Sequence, residues 1–118
     1  MKLNHINLIV SNVGESIHFL ERYFGFKCIE VKGDNIIATL EGSDDFSLVL
    51  MHSKSGPVNY PDGFHIGFLQ DNAESVDNIY NHLITGGFEV GRAPGKIRDS
   101  YGFYFTFDNI LIEVGYYG

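Results

Sequence analysis

The stretch NHINLIVSNVGESIHFLERYFGF, residues 4–26, decides how this chain is read. It opens on a strand: residues 3–10 are apolar on both faces apart from Asn4, His5 and Asn7, a pattern that suits a strand largely enclosed by protein. Helix signals follow. Asn12 precedes Glu15 by three residues, the spacing of a capping box. Ile17, Leu20 and Phe24 fall at i, i+3 and i+7 and give one apolar face. Gly25 stands where a left-handed C-terminal cap is expected.

Three strands are expected next, KCIEVK (27–32), NIIATLE (35–41) and FSLVLMH (46–52), separated by turn chemistry at Gly33-Asp34 and from Gly42 to Asp45. The order is β-α-β-β-β. A loop rich in Ser, Gly and Pro then intervenes, and the order starts again. FHIGFLQ (64–70) reads as a strand, followed by a helix with Asp71 and Glu74 in capping-box spacing and Val76, Ile79, Tyr80 and Leu83 on its apolar face. FEVG (88–91) reads as a strand, 92–102 as an irregular loop, and FYFTF with ILIEVGYY as a hairpin around Asp108-Asn109. NVGESI is echoed by NAESV, and YFGFKCIEV by TGGFEV; the repeat is about sixty residues long and sets His5 and His65 one repeat apart. One domain is expected over 1–118, built of a module 1–53 and a module 63–118 joined by loop 54–62.

The 118 residues suit one compact domain, and 44% hydrophobic content supplies a core. A net charge of −7 argues against a nucleic-acid or membrane-surface binder, which needs a positive face. It suits a neutral or cationic small molecule. One cysteine, Cys28, excludes an internal disulfide and reads as a small buried hydrophobe. The start MKLNHINLIV lacks a signal-peptide pattern and no run reaches membrane-spanning length. A reducing, cytoplasmic location is expected.

Alternation along strands brings the polar exceptions together by face. His5 shares a face with Leu3, Asn7 and Ile9; His65 with Gly67 and Leu69; Glu113 with Leu111 and Gly115. The opposite faces are more uniformly apolar and can be given to the helices. The two histidines and the glutamate then point to the concave side of a curved sheet. Two imidazoles and a carboxylate suffice to hold a divalent first-row metal with positions left open. His18 and His82 fall on helices and read as surface residues.

Along its whole length the chain resembles the vicinal oxygen chelate superfamily, the glyoxalase, bleomycin-resistance and extradiol-dioxygenase group. The resemblance is carried by NHINLIVSNVGESIHFLERYFGF, FHIGF and GFYFTFDNILIEV. It implies an α+β fold, two βαβββ modules forming a curved mixed sheet, and a homodimer. It also implies metal ligands at His5, His65 and Glu113. The fourth family position falls near Leu50, expected as the pseudo-symmetric partner of Glu113. Leucine can neither bind a metal nor carry a proton, which sets the chain apart from glyoxalase I-like members. The closing turn, FDN, is shorter than the DPDGN-like turn common in the family.

Further substrate-binding residues are expected around this set. Asn7 and Tyr104 can reach the concave side, and His52 ends a strand beside Leu50. Loop 92–102 gathers Arg92, Lys96, Arg98 and Tyr101, of which Arg98 and Tyr101 are candidates for holding a carboxylate or phosphate. The resemblance implies a metal-dependent lyase, isomerase or dioxygenase acting on a small oxygen-chelating substrate through an enediolate or similar oxyanion. The ion would be Zn, Ni, Co, Mn or Fe, and Glu113 or a metal-bound hydroxide would serve as base. The alternative is an acidic, dimeric, drug-sequestering protein of the bleomycin-resistance type. Net charge and seven tyrosines suit that reading; the His/His/Glu set argues against it.

Overall fold

A computed structural model describes all 118 residues. The chain divides into two compact units, Met1–Val58 and Asn59–Gly118. The first contains β1 (His5–Val10), α1 (Val13–Phe24), β2 (Lys27–Lys32), β3 (Ile37–Glu41) and β4 (Ser47–His52). The second contains β5 (His65–Leu69), α2 (Ala73–Thr85), β6 (Gly95–Ile97), β7 (Ser100–Phe107) and β8 (Ile110–Tyr116). Both are βαβββ modules. The sheet orders are β1-β4-β3-β2 and β5-β8-β7-β6. In each, the first strand lies parallel to the last and the other pairs are antiparallel.

In the first unit α1 covers one sheet face. Leu8, Leu50 and Ala38 stand side by side across β1, β4 and β3, and all are buried. Val13, Ser16, Phe19, Leu20 and Tyr23 of α1 close over them. The buried face is thus turned slightly from the expected one: Leu20 is central, while Ile17 and Phe24 are only half-buried. The Asn12 side chain accepts from the Glu15 N–H, and Gly25 ends the helix at φ 70°, where a residue lacking Cβ carries no steric cost. The strand expected from residue 35 starts at Ile37, because Gly33 and Asn35 both take positive φ in the turn.

In the second unit Phe103, Phe105, Ile110, Ile112 and Val114 form the buried sheet face, with Val76 and Leu83 of α2. Fully burying a side chain of this size contributes about 1.5–3 kcal/mol. The N-cap of α2 is Asn72, one residue beyond the expected Asp71, and accepts from the Ser75 N–H at 2.8 Å. At the other end the Phe88 N–H donates to Leu83 O and the Gly87 N–H to Ile84 O, with Gly87 at φ 89°. This is a Schellman closure. It corrects the expected strand at 88–91. The Phe88 donor is spent on the helix end, and the strand forms instead at Gly95–Ile97, just after Pro94 and inside the expected loop. Pro94 has no N–H to give a ladder and suits the start of an edge strand. Asp108 and Asn109 both take positive φ and join β7 to β8 by a two-residue turn, the geometry that matches the twist of a hairpin.

Two predictions follow from this packing. A Cβ on Gly102 of β7 would run into the Val114 carbonyl oxygen of β8. Gly102→Ala should therefore destabilise by about 1–3 kcal/mol, overriding the usual gain from a stiffer unfolded chain. Urea unfolding measures this, and a neutral or stabilised variant would contradict the close approach.

The Tyr101 hydroxyl donates to Asp77 Oδ1 of α2 at 2.6 Å. That hydrogen bond, then burial and the Asp77 charge, raise the Tyr101 pKa above its ordinary 10.0. The unfolded chain then loses the proton first as pH rises. The stabilisation is full below about pH 10 and is lost as pH climbs through the folded value. Tyr101→Phe should flatten this alkaline loss in urea midpoints measured across that range.

Candidate functional site

The face of the second sheet opposite α2 carries His65, Glu113 and Tyr104. Register sets Gly67 of β5, Glu113 of β8 and Tyr104 of β7 in one row. The neighbouring rows are His65, Leu111 and Thr106 on one side, and Leu69, Gly115 and Gly102 on the other. Glu113 is kept on this face because Ile112 and Val114, its chain neighbours, are claimed by the core.

His65 and Glu113 meet here, with His65 Nε2 3.5 Å from Glu113 Oε1. The His65 side chain is 42% exposed and that of Glu113 15%. The imidazole is aimed by the backbone behind it: Nδ1 lies 2.9 Å from Gly63 O. A carbonyl oxygen can only accept, so Nδ1 carries the hydrogen, and in the neutral ring Nε2 holds a lone pair. Gly63 presents its carbonyl from a turn at φ 82°, next to the stacked rings of Tyr60 and Phe64 at 4.8 Å.

The Nε2 lone pair and the Glu113 carboxylate are both acceptors, and they converge. A shared proton, a double donor such as water, or a metal ion can satisfy the two together. Imidazole nitrogen and carboxylate oxygen are metal donors, and a carbonyl behind the imidazole is the usual support for a histidine ligand. The pair therefore fits a divalent ion. No third His, Cys, Asp or Glu gathers with them at metal-binding spacing.

Tyr104 completes the cluster. Its ring stands edge-on to His65, with centroids 6.0 Å apart. Burial raises its pKa first, followed by the charge of Glu113 and a hydrogen bond to it; Arg98 acts in the opposite sense. Gly67 and Gly115 flank Glu113, and a Cβ on either would reach its carboxylate at 3.8 and 3.7 Å. Bare backbone thus surrounds the glutamate on two sides.

The first unit repeats the frame without this cluster. His5 is exposed on the face opposite α1, and its Nδ1 lies 2.8 Å from Asn4 Oδ1. That amide oxygen plays the part that Gly63 plays for His65. Asn7, also exposed, shares the face. The row equivalent to Gly67–Glu113–Tyr104 is Asn7–Val49–Thr39. Val49, not Leu50, is therefore the counterpart of Glu113.

Leu50 is 1% exposed and packs in the core on the α1 side, so the expectation that it contacts substrate is corrected. His52 shares the strand parity of Leu50 and is exposed at the end of β4. Tyr101 belongs to the α2 side of its sheet through Asp77, away from His65 and Glu113, which corrects its placement at the substrate. Arg98 lies in the two-residue turn between β6 and β7 at φ 52°, exposed, and its charge acts on Tyr104. The cations of loop 92–102 do not form one cluster, since Lys96 pairs with Tyr101 on β7 and shares its face. The supporting groups Asn4, Gly63, Gly67 and Gly115 were not singled out from sequence. Their signal was spacing: Gly63 and Gly67 lie two residues either side of His65, and Gly115 two beyond Glu113.

The family model described as Glyoxalase/Bleomycin resistance protein/Dioxygenase superfamily matches residues 2–114. The chain belongs to this superfamily. Among solved structures, a possible glyoxalase from Bacillus cereus is 38% identical, with 97% of each chain covered and a TM-score of 0.83. The fosfomycin resistance protein FosX from Listeria monocytogenes is 25% identical in a monoclinic form, with 99% of this chain and 90% of that one covered and a TM-score of 0.75. A glutamate-to-glutamine mutant of FosX, at 23% identity, 96% and 87% coverage and TM-score 0.77, is complexed with Mn(II) and 1S,2S-dihydroxypropylphosphonic acid. Lactoylglutathione lyase from Agrobacterium tumefaciens shares the superfamily fold at 15% identity, 98% and 92% coverage and TM-score 0.76. No helix of the chain is long and apolar enough to cross a membrane.

The support for the two imidazoles has a direct test. In metal-free protein, ¹⁵N NMR of the neutral rings of His65 and His5 should show hydrogen on Nδ1 and a lone pair on Nε2. The opposite tautomer would mean that Gly63 O and Asn4 Oδ1 do not aim these rings.

Proposed function

We propose that the protein is a metal-dependent enzyme of the superfamily's lyase, isomerase or dioxygenase kind. Its substrate is a small molecule that chelates the ion through adjacent oxygens and reacts through an enediolate or similar oxyanion. The observation that carries this reading is the convergence of His65 Nε2 and Glu113 Oε1 at 3.5 Å, with the imidazole aimed from behind by Gly63. His65 and Glu113 would hold a divalent ion, Zn, Ni, Co, Mn or Fe. The superfamily resemblance implies His5 as the third donor. Bound there, the ion supplies Lewis acidity toward substrate oxygens.

The chain's own residues do the rest. Glu113 is the one carboxylate at the site and would take up the substrate proton as general base. Tyr104 has its phenol pKa raised by burial and by Glu113, so it keeps its proton at neutral pH and can donate. Gly67 and Gly115 leave room at the carboxylate for a ligand. Arg98 adds a positive charge on the Tyr104 side and would attract an anionic group of the substrate. Asn7, beside His5 on its face, would offer its amide to the ligand. A homodimer in the cytoplasm is the proposed working form.

Sequestration of a cationic drug is the second reading, favoured by the net charge of −7. It leaves the aimed imidazole and its carboxylate without a task.

Metal analysis of untagged protein decides between the readings. The wild type should carry or take up close to one ion per chain, and His65→Ala should weaken binding by more than the ~10–100-fold typical of losing a supporting group. A wild type that accepts none of the five ions would overturn the enzyme reading and direct attention to cationic ligands.

A further inference from the structure

Tyr104 adjoins both donors. It faces Glu113 across the β7–β8 ladder, and its ring edge rests against His65 from two strands away. On the other side of Glu113 the row ends in Gly67, which has no side chain to offer. Apart from His65, Tyr104 is the side chain that the register sets directly beside the carboxylate.

The internal repeat gives an independent sign. In the first unit the register counterparts of Glu113 and Tyr104 are Val49 and Thr39. The histidine is retained there as His5 with its own support from Asn4. Where the carboxylate is absent, the phenol is absent with it. A tyrosine needed only to fill the sheet would have no reason to keep company with the glutamate.

We propose that Tyr104 is a positioning residue for the metal centre, its hydroxyl fixing the Glu113 carboxylate and its ring edge fixing the His65 imidazole. The proposal rests on the reading of His65 and Glu113 as ligands. The Glu113 carboxylate is placed by three rotatable bonds, and one held oxygen selects the rotamer that faces His65. The ring edge limits rotation of the imidazole about its own χ2. Both donors are then in place before an ion arrives, so less ordering is left to the binding step.

Mn(II) titration of wild type, Tyr104→Phe and Tyr104→Leu separates the two contributions. Tyr104→Phe keeps the ring and removes the hydroxyl. It should bind Mn(II) about tenfold more weakly, with the thermal midpoint of the metal-free protein unchanged. Tyr104→Leu should weaken binding further and move the His65 ring resonances in metal-free protein, which Tyr104→Phe should leave in place. The Glu113 side-chain carbonyl resonance of metal-free protein should shift in both variants. Wild-type Mn(II) affinity in Tyr104→Phe, or an unshifted Glu113 carbonyl, would overturn the positioning role while leaving the ligands standing. If wild type itself takes up no divalent ion, the ligand reading fails and the positioning role falls with it.

Discussion

The parallel pairing of β5 with β8, in one register, is the constraint on which the site depends. It sets Gly67 against Glu113 and brings His65 onto the diagonal. A slip of one residue would turn Glu113 toward α2 and Ile112 and Val114 toward solvent. Ile110, Ile112 and Val114 are 3%, 2% and 0% exposed, so the slip would trade three aliphatic burials for Leu111 and a buried carboxylate. Each exchange costs on the order of 2 kcal/mol from lost transfer alone, and burying an unpaired charge adds more. The Asp108-Asn109 turn fixes the start of β8 against β7 at the same time. Register, core and site are therefore one choice, made by alternation along a single strand.

The two units show how little of a shared frame has to change for the His65–Glu113–Tyr104 cluster to appear or vanish. Both have a strand histidine whose Nδ1 meets an oxygen acceptor two or fewer residues upstream. Both cover one sheet face with a capped helix. The difference lies in one row, Asn7–Val49–Thr39 in one unit and Gly67–Glu113–Tyr104 in the other. The frame gives the positions, and the side chains in that row give the acceptors, so membership of the fold says less about activity than the row does.

Much of this was legible in the sequence, because helix caps and strand alternation are local. Asn12, Gly25 and the Asp108-Asn109 turn announced themselves by residue type, and the repeat of β-α-β-β-β by its echo. Parity alone put His65 and Glu113 on the face away from the helices. The errors share a different cause. Assigning Leu50 as the counterpart of Glu113 was a one-residue misjudgement, and in a strand one residue is the other face. Only the β1–β4 ladder identifies Val49. Tyr101 was read as part of a loop, where parity has no meaning; once β7 starts at Ser100, alternation gives it to α2. The strand expected at 88–91 failed because its first N–H is taken by the end of α2, a competition that residue preference does not show.

Stability alone does not account for the arrangement around Glu113. A half-exposed His65 lying 3.5 Å from a carboxylate is the kind of contact that contributes little to folding. Glycine inside a strand is worse, weakening it by roughly 0.5–1 kcal/mol relative to alanine. Yet Gly67 and Gly115 both flank this glutamate, and neither position is closed to a methyl group: an added Cβ would sit at ordinary contact distance, 3.8 and 3.7 Å from the carboxylate oxygens. Gly102, by contrast, is dictated by the Val114 carbonyl. A sheet selected for stability would fill the first two positions and leave only the third bare. Leaving the first two bare keeps side chains away from both flanks of the Glu113 carboxylate, on a face otherwise able to carry them.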